Sequence, residues 1–488
     1  MKQPRALISL SLSELWERFG LYIVQGLLIF YMTKVLTFSD GQSYLIMGQF
    51  TALVYISPII GGLCADRLLG FRQTILIGAV LLLAGYALLA FPIANKENAL
   101  FLGLAIIILG TGCLKPNISS FLGQFYQADD PRRDAGFTIY YMIFNFGIML
   151  ATLSSGYIER NFGWHACFAA ASCGLVLSIC FFRAGYRHYG NQGLPLRSTT
   201  IKQRAAFAAI IVIGTAACYA FLKISNFGNT VLVTFGLIML LLLITNTFKL
   251  EKLEQYKMLS LLILIVISIA FWAIFFQIFL VANVFIDRNV DRVVFGHTIP
   301  PMAFISLEPL FLFILSPLLA FGWRKLHEKN WNISRSLQFT IGLIVIAVAL
   351  QVLVWAIHLS TNYGLISPYW IVLSYLLITI AELMLSPIGL SMVTQLAPPK
   401  LVGIMMGVWF LGLGYGGLLA GYLGKQASIP KDMINNIAYT NPIYAHAFQN
   451  YAWLGFGAAG LTLILSPFLN KLINRKKSCS IKSDCYQN

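Results

Sequence analysis

Windows of about twenty predominantly apolar residues recur along the whole chain, separated by short polar or basic segments. They fall near 6–32, 43–64, 73–93, 99–123, 136–158, 164–183, 205–222, 228–248, 258–286, 302–321, 337–358, 367–396, 402–424 and 450–470. A helix rising 1.5 Å per residue needs about 20 apolar residues to cross the hydrocarbon core, so the pattern predicts about fourteen transmembrane spans. Six spans precede a polar, basic stretch from Arg183 to Arg204 that carries Gly190, Gly193 and Pro195 and reads as a linker. The next two, near 205–222 and 228–248, hold almost no polar residue beyond Thr and Asn and are expected to face lipid. A second set of six follows Lys249–Lys257. The grouping of six, two and six predicts an all-α membrane protein with two bundles rocking about a central site. Its parts are then an N-terminal bundle over 1–184, a linker with two extra helices over 185–257, a C-terminal bundle over 258–471 and a tail over 472–488. No internal repeat is evident, so this symmetry rests on the order of the spans.

The polar positions inside these windows carry the functional signal. In the first, Glu14, Glu17, Arg18, Tyr22 and Gln25 recur at spacings of three and four and share one helical face. Each charge within a span is disfavoured by roughly 2.5–3.5 kcal/mol, so such a stripe is expected to face other helices or water along a polar pathway. Pairing at the interface, with Arg18 snorkelling to headgroups, fits the same spacing. Eight mostly apolar residues before Glu14 favour the deeper placement. Lys115 lies deep in the fourth span beside Pro116, which removes a backbone donor and favours a kink. Glu382 lies near the middle of a long apolar stretch, one turn before Ser386-Pro387. If these two charges meet when one side of the site closes, they form a gate between the bundles. Glu308, followed by Pro309, is expected about two turns into the tenth span. A lone desolvated carboxyl there could trade protons.

Composition narrows the class. The chain has 488 residues, 58% hydrophobic and 11% charged, with a mean hydropathy of +0.77. Soluble domains carry about 25% charged residues. The net charge of +16 is a topology signal and not a nucleic-acid signal: most of the 34 Lys and Arg fall on one set of inter-span segments, which places both termini in the cytoplasm. The basic start, Met1-Lys2-Gln3-Pro4-Arg5, lacks a cleavage site after a short apolar core, so the first span is expected to be an uncleaved anchor. The eight cysteines have no metal-ligand spacing with histidine, so reduced thiols are expected, including Cys479 and Cys485 in the tail. No metal or cofactor site can be assembled.

Two motifs give a family. The segment Gly61-Gly62-Leu63-Cys64-Ala65-Asp66-Arg67-Leu68-Leu69-Gly70-Phe71-Arg72 resembles the conserved loop of the major facilitator superfamily, with one extra residue before Gly70. Its glycines allow two helices to approach closely, and Asp66 can cap a helix and pair with arginine, so Asp66, Arg67 and Arg72 are candidates for a conformational loop. The run Glu14-x-x-Glu17-Arg18-Phe19 resembles the signature of the proton-dependent oligopeptide transporter family, with Tyr22 present and Leu21 where another tyrosine is expected. Tyr140-Tyr141-Met142-Ile143-Phe144-Asn145-Phe146-Gly147 approximates a second family motif, and Gly112–Asn117, Asp287–Val290, Glu382–Pro387 and Met406–Phe410 match further stretches.

The resemblance implies the major facilitator fold, protons as coupling ion, no cofactor, and dipeptides and tripeptides as substrates imported across a bacterial inner membrane by a multi-pass protein acting as a monomer. It assigns Lys115 and Glu382 to the link between bundles, and the lysine to proton coupling with Glu14, Glu17 and Arg18. Tyr22, Tyr55, Asn145, Gln277, Asn283 and Trp409 match positions that line the peptide site in relatives. Aromatic rings with polar handles and side-chain amides suit variable side chains and a peptide backbone. Three departures stand out: Gln25 replaces an arginine, Phe276 a glutamate, and Glu308 an asparagine. The first two put one gate and one proton site in doubt, and at Glu308, where the asparagine of relatives receives a peptide's amino terminus, the resemblance implies that peptide and proton compete for one carboxylate. Another transporter of the same fold, moving a different amphiphile or exporting drugs, fits the same spans. A polytopic enzyme fits less well, because no cluster of His, Asp or Ser marks a membrane interface.

Overall fold

The computed structural model describes residues 3–91, 93–127, 130–195, 199–329, 334–360, 364–398 and 401–473. Asp129, Cys479, Cys485 and the end of the basic tail lie outside them. Six long helices form the N-terminal half: α1 (Ala6–Phe30), α2 (Asp40–Cys64), α3 (Phe71–Ala90), α4 (Lys96–Gly123), α5 (Arg132–Phe162) and α6 (Trp164–Ala184). A short α7 (Tyr186–Tyr189) leads to α8 (Ile201–Lys223) and α9 (Ser225–Thr247). The C-terminal half holds α10 (Lys252–Phe275), α11 (Val281–Asn289), a two-stranded hairpin of β1 (Val293–Val294) and β2 (His297–Thr298), α12 (Pro301–Ile305), α13 (Leu307–Glu328), α14 (Arg335–Leu359), α15 (Pro368–Leu396), α16 (Val402–Gly424) and α17 (Ile437–Ile473). Among the described residues, thirteen helical segments are long and apolar enough to cross a membrane. The 25-residue α1 matches them in length and differs by its three charges.

Two predicted spans are broken. The ninth runs as α10, a 3-10 turn over Phe276–Phe279 and α11, with Leu280 off the helix at φ −107° and ψ −104°. The tenth is interrupted at Ser306 between α12 and α13. Pro309 has no N–H to return to Ile305, four residues back, and the ladder resumes with Leu310 N–H donating to Ser306 O at 3.1 Å. Glu308 therefore stands in the first turn of α13, not two turns inside a continuous helix. Broken helices of this kind leave backbone and polar groups at membrane depth.

Glycines set the helix spacing. A Cβ on Gly61 would collide with the carbonyl of Gly112, and Asn117 Nδ2 donates to Gly61 O at 3.1 Å, so α2 and α4 meet backbone to backbone. Gly62, one residue on, has open space beside it. Gly61→Val is accordingly expected to lower stability by about 1–3 kcal/mol or more, because neither helix can yield, and Gly62→Ala to leave it near wild type. Thermal unfolding of the two purified variants in one detergent decides this; equal melting temperatures would remove the packing role.

The two halves touch toward the end distant from the termini. There Gly48 of α2 packs on Gly417 and Gly421 of α16, Asn283 Nδ2 of α11 donates to Gly26 O of α1 at 3.1 Å, and Gly156 of α5 meets Pro300. Arg288 clasps Asp40 through two bonds of 2.6 and 2.9 Å, and Lys34 pairs with Asp287 at 2.7 Å. Toward the other end, Ile60, Tyr141, Met142, Leu390 and Ile404 are exposed. Helices α8 and α9 are mostly exposed, as expected of lipid-facing segments. They are nonetheless anchored: Gln49 of α2 donates to a buried Asn229 at 2.9 Å, and Tyr415 of α16 to Leu232 O at 2.8 Å.

Candidate functional site

The stripe on α1 is buried as a unit. Arg18 pairs with Glu14 at 2.5 Å and lies 3.5 Å from Glu17, both carboxyls shielded from solvent. The i, i+4 spacing makes the first contact, and burial among α4, α5 and α6 makes the triplet an interior feature, not a headgroup anchor. Tyr140 of α5 reaches Glu14, and the Arg18 guanidinium lies 5.3 Å from the Phe144 ring centroid. Lys115 of α4 is in electrostatic contact with Glu14, Glu17 and Arg18. Two anions and two cations thus occupy one pocket of the N-terminal half. Several of their atoms, including both Glu17 oxygens and Arg18 Nε, have no hydrogen-bond partner among the described residues. Unsatisfied buried polar groups are costly, so this cluster is built for more than packing.

Lys115 and Glu382 do not meet in this conformation. The Lys115 ammonium sits 4.2 Å from the centroid of the Tyr55 ring, and that ring packs 5.8 Å from Phe276 of the C-terminal half. The lysine therefore approaches the opposite bundle through two aromatic rings instead of a carboxylate. Glu382 hydrogen-bonds Glu308. The expected lone carboxyl at 308 is one member of a pair, brought together because α13 packs on α15.

The other predicted residues separate into two groups. Tyr22 and Tyr55 face the junction, in electrostatic reach of both Glu308 and Glu382, and Tyr22 packs edge-on against Phe279 at 5.8 Å. Gln25 is buried on the same helix. The rest are engaged elsewhere. Asn145 Nδ2 donates to its own helix at Tyr141 O, 2.9 Å. Gln277 Nε2 donates to Ala273 O and Ala420 O, holding the 3-10 break to α16. Asn283 closes the far end through Gly26. Trp409 is 1% exposed and packs against Gly389 of α15.

The predicted loop after α2 is helical at Asp66 and Arg67, which lie in a wider helical turn, Ala65–Leu69, that continues α2; both are exposed, and no ion pair joins them among the described residues. Arg72 donates to Gln192 O at 2.7 Å and Gly190 O at 2.5 Å, pinning the linker to the start of α3. Sequence reasoning missed Tyr86 and Tyr375, and named Tyr141 within a family motif without giving it a role. Tyr86 is fully buried beside Glu17 and Arg18, and Tyr141 and Tyr375 lie beside the carboxyl pair. A tyrosine inside an apolar window carries no spacing signal. A separate cavity of about 280 Å³ lies at the closed far end, lined among others by Lys34, Glu159, Arg160, Asp287 and Arg292. It holds none of the residues just described.

The paired charges on α1, the lysine on α4 and the carboxyls of α13 and α15 lie on both sides of the junction between the halves, and comparison with known proteins gives the family of the chain. A family model described as the POT family matches residues 72–440. The chain belongs to the POT family. It is 33% identical over 477 residues to dipeptide and tripeptide permease A of Chromobacterium violaceum, covering 97% of this chain and 95% of that one. A crystal structure of the peptide transporter POT in complex with sulfate superposes with a TM-score of 0.85 at 30% identity, covering 96% of both chains. PepTSo2, crystallised as a tetramer, gives a TM-score of 0.85 at 28% identity over 96% of this chain and 98% of its own. The POT assignment makes this a transporter of the major facilitator fold and not an enzyme, and a multi-pass membrane protein.

Proposed function

We propose that this POT-family chain imports dipeptides and tripeptides by proton-coupled symport with alternating access across a bacterial inner membrane. The observation that carries the reading is the placement of ionisable groups in both halves at one junction: Glu14, Glu17, Arg18 and Lys115 on one side, Glu308 and Glu382 on the other. Groups that gain and lose protons beside a shared cavity can couple a proton to a substrate. With the termini cytoplasmic, as the Lys and Arg distribution implies, the closed end is periplasmic and the conformation is inward-facing. In this reading 1–184 and 258–471 are the rocking bundles, with 185–257 as the linker and two extra helices. Tyr22, Gln25, Tyr55 and Glu382 contact the peptide, while Asn145, Gln277, Asn283 and Trp409 reach it only after rearrangement. All these residues come from one chain, so a monomer suffices for transport. Tetramers such as that of PepTSo2 are compatible with this.

A panel of dipeptides, tripeptides, amino acids and drugs should separate this from transport of another amphiphile. A ligand at a hundredfold excess over its Kd adds about 2.7 kcal/mol of stability and raises the melting temperature. Small peptides alone are expected to do so, and peptide uptake into proteoliposomes should follow an inward proton gradient. Uptake indifferent to a proton uncoupler would remove the coupling, and stabilisation by drugs alone would remove the peptide.

A further inference from the structure

The carboxyls of Glu308 and Glu382 hydrogen-bond each other. An ionised carboxyl only accepts, so such a bond needs a proton on one of the two. With a single proton shared between them, the pair carries one negative charge. Glu308 is 7% exposed, and nothing of the chain compensates that charge: among the described residues no Lys or Arg is in electrostatic contact with either carboxyl. The facing groups are phenols, from Tyr22 of α1, Tyr55 of α2, Tyr141 of α5 and Tyr375 of α15, with Arg18 beyond the first two. No N–H or hydroxyl of the described residues donates to the buried Glu382 Oε2, and the hydroxyl of Tyr375, 1% exposed and in electrostatic contact with Glu308, has no hydrogen-bond partner. A buried anion with no cation beside it calls for a cationic donor from outside the chain.

We propose that Glu308 and Glu382 form an acid dyad that carries one proton and one substrate ammonium group at the same time. This rests on the peptide reading above and names how the site takes the peptide's amino terminus. The proton stays between the two carboxyls, and the ammonium donates to the oxygens of the pair that the shared proton leaves free. Charges then balance: one shared proton leaves the dyad at minus one, and the ammonium brings it to zero. Without the proton the same complex keeps a net negative charge, which opposes closing a dry site around it. The proton becomes a condition for closing over peptide, as symport requires. A single carboxyl cannot do this, because an arriving ammonium would expel its proton. The structure thereby favours joint binding over the competition expected for a lone glutamate.

The test uses the full-length purified chain, dialanine as probe, and two measurements that do not depend on transport. Infrared spectroscopy of the ligand-free protein at neutral pH should show a protonated-carboxyl band that disappears in both Glu308→Gln and Glu382→Gln and persists when dialanine is added to the wild type. A band component insensitive to these substitutions overturns the dyad. Calorimetry of dialanine binding in buffers of different ionisation heat should then show little net proton exchange, whereas about one proton released per peptide would establish competition and overturn joint binding. Dialanine with a blocked amino terminus should lose at least tenfold in affinity for the wild type. In proteoliposomes Glu308→Gln should lose proton-driven accumulation, with counterflow exchange reduced far less; accumulation equal to wild type also overturns the proposal. If dialanine gives no binding heat, the peptide reading fails while the infrared band still decides whether the dyad holds a proton.

Discussion

Lys115→Ala is expected to abolish concentrative peptide uptake while a residual counterflow exchange survives. In the N-terminal half the formal charges of Glu14, Glu17, Arg18 and Lys115 cancel, and all four are in electrostatic contact. Removing the lysine leaves a net negative charge in a pocket that already has unsatisfied carboxylate oxygens. Removing one partner of a buried pair typically costs about 3–5 kcal/mol, and the lower end applies here because Lys115 is only half-buried. The cluster would regain neutrality by holding a proton permanently, and a proton that never leaves cannot drive anything. The lysine also connects the halves through Tyr55 and Phe276, so its loss uncouples the clusters on either side of the junction. Lys115→Arg separates the two contributions: it keeps the positive charge and the ring contact but cannot release a proton in the working range. Accumulation should vanish in both variants, with more exchange retained in the arginine variant. Either one concentrating peptide like the wild type would take Lys115 out of the coupling path.

The membrane made most of the architecture legible in the sequence. A bilayer admits few alternatives to an apolar helix of fixed length, so composition alone marks the spans. The α1 stripe was legible for a related reason, because charges are rare there and a spacing of three and four leaves one common face. The close approach at Gly61 could be read from the loop motif. What sequence could not supply was which charge meets which. Glu382 was expected to meet Lys115 only when one side of the site closes, and in this conformation it pairs with Glu308 within its own half. That contact comes from the first turn of α13, just after the break at Ser306, of which Pro309 is the local trace. Trp409 and Gln277 show why residue type alone does not place a ligand contact: both suit a ligand, and in this conformation both pack between helices. Tyr375 went unnoticed because an aromatic residue in an apolar window looks the same whether it meets lipid, core or a carboxyl.

Arg288→Ala should move the resting protein from the far-end-closed to the far-end-open conformation. The Arg288–Asp40 pair is bidentate and joins α11 to α2, so it exists only while the halves touch. Asp40 also accepts from Ile429 N–H at 3.2 Å, and Arg288 reaches the hydroxyl of Tyr444 at 3.3 Å, so four segments converge on two side chains. A surface ion pair would contribute little, but the Asp40 side chain is 5% exposed and the Arg288 side chain 13%. Truncating the arginine strands a carboxylate in the closed contact at about 3–5 kcal/mol, which opening relieves by hydrating it; that is a shift of roughly 150- to 5,000-fold in the equilibrium. Spin labels replacing Phe91 and Leu359, both exposed at that end, would report it as a longer distance distribution once the eight native cysteines are replaced. Removing both partners in Asp40→Ala/Arg288→Ala leaves no stranded charge, so the double variant should return much of the way to the closed state. That return is the discriminating result, because a general loss of packing would leave the double variant at least as open as the single one.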